Sequence, residues 1–249
     1  MQHRSKLTIF FLLLFTFSFI QKKEITIFLA GDSTMADKPY GIGNPEKGWG
    51  QVFPLYLVDG IHVENHAVNG RSTKSFRDEG KWAVLLDKMQ PGDYVIIEFG
   101  HNDQKIQDTT RYADADTNYR QNLIRFVEKV RQKGGIPVLA TPIVRRRYNE
   151  NGEFYDTHGR YPEVVREVAE SKQVPLLDLH ALTKELLIQY GEEDSKRLFL
   201  HINPGEYGSL PEGRQDDTHL SAVGAFRVCD LVKSEIMQNI PELTVYFKN

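Results

Sequence analysis

Five short apolar runs, set apart by polar turns and helix-patterned segments, constrain the fold of this chain more than anything else in it. They are Ile25–Ala30, Val63–Val68, Tyr94–Phe99, Ile136–Ala140 and Val174–Leu179. Runs this short and this apolar fit strands buried on both faces, as in parallel sheets. Between them, apolar residues recur at helical spacing. Tyr119, Leu123, Phe126, Val127 and Val130 form one such set, and Val164, Val165, Val168 and Ala169 another. Leu182, Leu186 and Leu187 form a third, and Val223, Phe226, Leu231 and Ile236 suggest a closing helix. Strand–helix alternation predicts an α/β domain: a three-layer α/β/α sandwich around a doubly wound, mostly parallel five-stranded sheet. The 249 residues suffice for it, and no internal repeat or linker marks a second domain.

The N-terminus stands apart. His3, Arg4 and Lys6 precede an apolar run from Ile9 to Phe15, continued by Phe17, Phe19 and Ile20. A basic stretch followed by an apolar one reads as a signal peptide over residues 1–21, with a single mature domain spanning 22–249. The run is short for a membrane span, so an uncleaved anchor, which the lack of a clean small-x-small cleavage site would suit, is the weaker alternative. The expected location is therefore secreted or periplasmic, with no membrane partner once the signal is removed. The formal charge is -3, so no bulk basicity favours nucleic acid. The chain has neither a Gly-x-x-x-x-Gly-Lys-Ser/Thr loop nor a zinc-type Cys/His array. Its one cysteine, Cys229, lies among Phe226, Val228, Leu231 and Val232 and reads as a small buried apolar residue.

In doubly wound sheets, ligands bind beyond the carboxyl ends of the strands. Gly31, Asn69-Gly70 and Gly100-His101-Asn102-Asp103 end the first three runs, so three polar turns are expected on one edge. Ser33, just past the first strand, is a candidate nucleophile. A serine hydroxyl needs a base to take its proton. His219 is the candidate base, and Asp216 would orient its other ring nitrogen. On a helical turn or tight loop, residues three apart project to the same side. Asp217 is the weaker rival, because adjacent side chains point apart. Three donors could receive an oxyanion: the backbone N–H of Ser33, that of Gly70, and the Asn102 amide. Each motif alone is an ordinary turn or cap. Their joint occurrence, in order and at predicted strand ends, makes the chemical reading the stronger one.

These blocks resemble the signatures of the SGNH (GDSL-like) hydrolase superfamily: Gly31-Asp32-Ser33, Gly70, Gly100-x-Asn102-Asp103 and Asp216-x-x-His219. The resemblance implies a flavodoxin-like fold. It assigns nucleophile, two oxyanion donors and base to Ser33, Gly70, Asn102 and His219, with Asp216 completing the triad. The Gly-x-Ser-x-Gly elbow of ordinary α/β-hydrolases is missing. Within the superfamily, Ala30–Ala36, Gly48-Trp49-Gly50, Asn69–Phe76 and Phe99–Asp103 are similar to rhamnogalacturonan acetylesterases. That branch implies removal of acetyl groups from pectic polysaccharide without metal or cofactor. Acetylxylan, another acetylated sugar, a small ester or a lipid is the alternative substrate, and a non-catalytic carbohydrate-binding protein a more distant one.

Galacturonate is anionic, so cations near the active edge are candidate substrate contacts. Arg71 and Lys74 follow the Gly70 turn, and His101 and His201 could line the pocket. Arg145-Arg146-Arg147 follow the fourth strand, as binding groups or as a solvated loop. Trp49 and Trp82 fit core packing better than sugar stacking. His62, Glu64 and His66 share a strand face, but no fourth ligand makes them a metal site.

Overall fold

The computed structural model describes residues 25–41 and 43–248. The signal peptide expected over residues 1–21 lies outside them.

The elements run β1 (Thr26–Gly31), α1 (Trp49–Val52), β2 (His62–Asn65), α2 (Thr73–Asp78), α3 (Lys81–Lys88), β3 (Tyr94–Glu98), α4 (Arg120–Gln132), β4 (Ile136–Ala140), α5 (Tyr161–Lys172), β5 (Leu176–Leu177), α6 (Leu179–Ser195), β6 (Phe199–Ile202), β7 (Arg214–Leu220) and α7 (Ala222–Asn239). β1 to β5 form one parallel sheet in the order β2-β1-β3-β4-β5. The alternation of runs predicts the doubly wound parallel sheet, and the family resemblance implies this flavodoxin-like order. Its chain reverses winding direction between β1 and β3, which opens a crevice at their carboxyl ends.

Alternation along β1 sorts the core into two layers. Ile27 and Leu29 join Ile96 and Val138 beneath α1, α6 and α7, where Trp49, Leu187, Val228, Val232 and Ile236 are buried. Phe28 and Ala30 join Val95, Ile97 and Leu139 beneath α3, α4 and α5, where Leu85, Phe126, Val127 and Val165 are buried. Burying each large apolar side chain contributes roughly 1.5–3 kcal/mol. α7 packs closely because Gly224 has no side chain: a Cβ there would stand 1.9 Å from the Leu198 carbonyl oxygen. The buried face of α7 is Ala225, Val228, Cys229, Val232 and Ile236. Val223 and Phe226, expected on that face, are exposed.

α2 opens on a capping box in which Ser72 and Ser75 bond each other's backbone N–H. Two expectations change. β5 is a two-residue strand rather than a six-residue run. Asp216 and His219 lie on neither a helical turn nor a loop but on β7, which pairs antiparallel with β6. Asp217, Thr218 and His219 stand between the pairs Phe199–Leu220 and Leu200–Asp216, so β7 bulges there. Such bulges re-aim side chains.

Candidate active site

The turns after β1, β2 and β3 meet the β7 bulge at one cleft of about 580 Å³. Its walls include Ser33, Gly70, His101, Asn102, Asp216 and His219. A cleft of this size suits a small organic group with part of its carrier.

Ser33 Oγ lies 3.0 Å from His219 Nε2, and His219 Nδ1 lies 2.8 Å from Asp216 Oδ2. The bulge produces this alignment. Asp216 Oδ1 accepts from the backbone N–H groups of Thr218 and His219, at 2.9 and 3.0 Å. That closes a tight turn on the carboxylate and folds the imidazole back over it. Arg214 Nη2 also donates to Asp216 Oδ2. Burial would raise the Asp216 carboxyl, but its bonds to the His219 ring and backbone override it and hold the group well below the usual range. Asp216 is therefore an anion facing the ring, the state that fixes a tautomer and stabilises an imidazolium.

Asp217 points the other way. Its oxygens accept from Arg146 Nη1 at 2.9 Å, Arg147 Nη1 at 2.6 Å and His201 Nε2 at 2.7 Å. Two of the three consecutive arginines thus clamp the β7 bulge to the loop after β4. His201 serves the same clamp and does not line the cleft, so its expected substrate contact is not found.

The three candidate oxyanion donors lie at the same cleft or its turns. Asn102 is buried, and its Nδ2 donates one hydrogen to the Arg71 carbonyl at 3.1 Å. The second amide hydrogen remains for the cleft. Gly70 takes φ +76°, a conformation that costs a residue with Cβ strain. Among the described residues, neither Ser33 N–H nor Gly70 N–H has an intramolecular acceptor. Arg71 and Lys74, expected as substrate contacts, face elsewhere: Arg71 Nε pairs with Glu79 at 2.9 Å, and Lys74 Nζ donates to the Thr109 carbonyl at 2.6 Å. Neither lines the cleft.

Sequence reasoning missed Lys38. It is 3% exposed, and its Nζ donates to the Ser33 carbonyl at 2.7 Å and Asn69 Oδ1 at 2.6 Å, and pairs with Glu46 at 2.8 Å. One buried cation therefore ties the Ser33 turn to the turn that carries Gly70. No periodicity marks such a lysine; only its burial beside three acceptors does.

Beneath the cleft lie three buried acids. Asp32 Oδ1 accepts from Thr34 N–H at 3.0 Å and Thr34 Oγ1 at 2.9 Å. Burial opposes its charge, but His101, 3.3 Å away, and the Thr34 bonds keep it ionised, below its ordinary range. Glu98 accepts from Trp49 Nε1 at 2.6 Å and Ile143 N–H at 3.2 Å. Burial and the neighbouring Asp32 charge push Glu98 upward. Trp49 is thus a core anchor, not a sugar platform, and Trp82 is buried too. Burial pushes Asp103 up to about 8, against the bonds from Thr73 N–H at 3.0 Å and Thr73 Oγ1 at 2.5 Å. His101 lines the cleft, and burial pushes its imidazole below the usual range.

Asp156, His158 and His180 bring one carboxylate oxygen and two ring nitrogens within 4.8 Å of one another, a donor set a metal ion could use. The same atoms bond each other: Asp156 Oδ1 is 3.3 Å from His158 Nδ1 and 3.1 Å from His180 Nε2. The group does not line the cleft. Glu64 pairs with His66 and Lys88, while His62 is exposed, so that strand face gathers no ligand set.

Residues 29–225 match the GDSL-like lipase/acylhydrolase family. The chain is 43% identical over 217 residues to the rhamnogalacturonan acetylesterase RhgT of Bacillus subtilis (strain 168), covering 87% of this chain and 91% of that protein. Among solved structures, YxiM of Bacillus subtilis superposes with a TM-score of 0.73 at 24% identity, over 87% of this chain and 57% of the other. This chain therefore spans little more than half of YxiM. Axe2, an acetylxylan esterase from Geobacillus stearothermophilus, superposes with a TM-score of 0.61 at 19% identity, over 85% and 94% of the two chains. These superpositions speak for the fold. By its sequence the chain belongs to the GDSL-like lipase/acylhydrolase family and is a carboxylic ester hydrolase.

Proposed function

We propose that this enzyme is a serine carbohydrate esterase that removes O-acetyl groups from pectic polysaccharide, rhamnogalacturonan foremost. Ser33 is the nucleophile, His219 the base and Asp216 its orienting carboxylate. His219 Nε2 takes the Ser33 proton as Oγ attacks the acetyl carbonyl. The resulting oxyanion lies against Ser33 N–H, Gly70 N–H and the free Asn102 amide hydrogen. The imidazolium then returns its proton to the departing sugar oxygen, leaving acetyl-Ser33. A water molecule, deprotonated by His219, releases acetate and restores Ser33.

The observation that carries the chemistry is the continuous Ser33–His219–Asp216 hydrogen-bond chain beside two backbone N–H groups that have no acceptor among the described residues. The substrate class rests on the 43% identity to a protein named rhamnogalacturonan acetylesterase. The cleft's polar walls support it, since Lys105, Arg145, Arg214 and Glu46 offer little to a long acyl chain. A pectic polymer lies outside the cytoplasm, in keeping with the leader read at residues 1–21.

Acetate release measured across acetylated rhamnogalacturonan, acetylxylan and long-chain acyl esters tests the reading. The pectic polymer should give the highest kcat/KM. A higher value on acetylxylan would move the enzyme to another acetylated sugar, and a higher value on long-chain esters would remove it from carbohydrate chemistry.

A further inference from the structure

Three cations line the Ser33 cleft: Lys105, Arg145 and Arg214. Arg214 is neutralised by Asp216 and Glu46. Among the described residues, Lys105 and Arg145 have no carboxylate at ion-pair distance. Arg145 is held by neutral groups instead: Nη1 donates to Thr157 Oγ1 at 3.1 Å and Nη2 to the His101 carbonyl at 3.2 Å. The Gln104 amide also faces both Nη atoms, at 2.8 Å with its oxygen turned inward. These contacts fix the guanidinium without cancelling its charge. The Lys105 ammonium has no hydrogen-bond partner among the described residues, so all three of its donors face solvent.

The two charges share one wall. Lys105 lies in the turn that carries Asn102, its N–H donating to the Asn102 carbonyl at 3.2 Å, and Arg145 reaches the neighbouring His101 carbonyl. The nearby Arg111 is already paired with Asp108 at 2.6 Å. The acids of the cleft are also engaged, Glu46 by Lys38 and Arg214, and Asp216 by His219 and Arg214. Two like charges side by side repel, and an anion placed between them relieves that repulsion. Partial burial, with Arg111 and Arg145 beside it, holds Lys105 below its usual range against the opposing charges of Asp32 and Asp108.

We propose that Lys105 and Arg145 form a carboxylate-binding subsite beside the oxyanion donors, which takes the uronate group of the acetylated sugar or its immediate neighbour. Lys105 makes the direct contact, and Arg145 supplies the fixed field. The proposal deepens the pectic reading above and rests on it for the identity of the anion.

Binding to the Ser33→Ala protein, which separates recognition from turnover, tests it by calorimetry. The probes are an acidic rhamnogalacturonan oligosaccharide and a neutral xylo-oligosaccharide of equal length. Adding Lys105→Gln and Arg145→Gln together should raise Kd for the acidic probe about tenfold or more and remove its salt dependence, with a much smaller change for the neutral probe. Arg145→Lys should keep part of the salt dependence, which a purely structural role would not give. Equal loss for both probes, or none for the acidic one, overturns the subsite. Acetate release from acetylated rhamnogalacturonan by the unmodified enzyme is measured alongside. Release with charge-independent binding overturns the subsite alone. No release overturns the pectic reading, while a Lys105-dependent Kd for the acidic probe would still support the subsite.

Discussion

Among the described residues the Ser33 hydroxyl has one base in hydrogen-bond reach, and that base bonds a carboxylate whose charge burial opposes and the His219 bonds restore. Each member of the chain therefore has a separable effect. Asp216→Asn should leave the fold intact and lower kcat by about 10⁴, because the amide no longer favours the tautomer that presents a bare Nε2 to serine. Stopped assays on a small acetyl ester check this; a loss below tenfold would remove Asp216 from the mechanism. Asn102→Ala should lower kcat by about 10²–10³, as one oxyanion donor is lost, with a smaller change in KM. Lys38→Met should act indirectly, by freeing the Ser33 and Asn69 turns from each other. A misplacement of about 1 Å can cost about 10²-fold in rate, so kcat should fall while KM changes less. At this scale the motifs were readable because serine, glycine, asparagine, aspartate and histidine stood at strand ends. Lys38 and Glu98 were not, because a buried ionisable side chain is tolerated through contacts that only the folded turns and strands bring together.

Among the elements, the β6–β7 hairpin does most to assemble the site, and its sequence disguises it. Arg214–Leu220 is polar and lacks the two-residue alternation of a half-buried strand. It is held by ionic bonds to the loop after β4, through Asp217 with Arg146 and Arg147. Asp217→Ala would leave the Arg146 guanidinium, 6% exposed, without its counter-charge. Breaking a buried pair this way costs about 3–5 kcal/mol. With Asp217 half-buried, the lower end applies, or about 6–12 °C in Tm at 2–4 °C per kcal/mol. Calorimetry of the variant should show that drop together with a loss of kcat, as the bulge that presents His219 loosens. An unchanged Tm would mean that the clamp is ornamental. By contrast, β4 was read to the residue and β1 and β3 to within one, because their burial on both faces leaves a nearly continuous apolar run. The end of β2 and most of β5 were overread, since apolar residues continue into the turns beyond the paired backbone.

For the whole molecule, the buried acids under the switch point set how stability responds to pH. Asp103 keeps its proton in the folded state up to about 8, while an unfolded aspartate loses it near 3.8. Between those values the native state binds more protons, so stability falls as pH rises, by at most ~1.4 kcal/mol per pH unit for each such group. Glu98, also raised, acts in the same sense. Asp216 and Asp32, both lowered, act oppositely: their contribution is present above the ordinary carboxylate range and lost on acidification. Tm should therefore decline from mildly acidic to mildly alkaline solution, and Asp103→Asn, which keeps the oxygen that Thr73 bonds, should flatten the decline. A Tm that climbs over the same range would contradict the assignment of these protons. The most direct test of the catalytic centre is covalent. Treatment with an organophosphonate ester, followed by peptide mass spectrometry, should place one adduct on Ser33. The Ser33→Ala protein should remain folded, take up no label and release no acetate from acetylated rhamnogalacturonan. Labelling at another residue, or undiminished acetate release by the variant, would contradict Ser33 as the nucleophile.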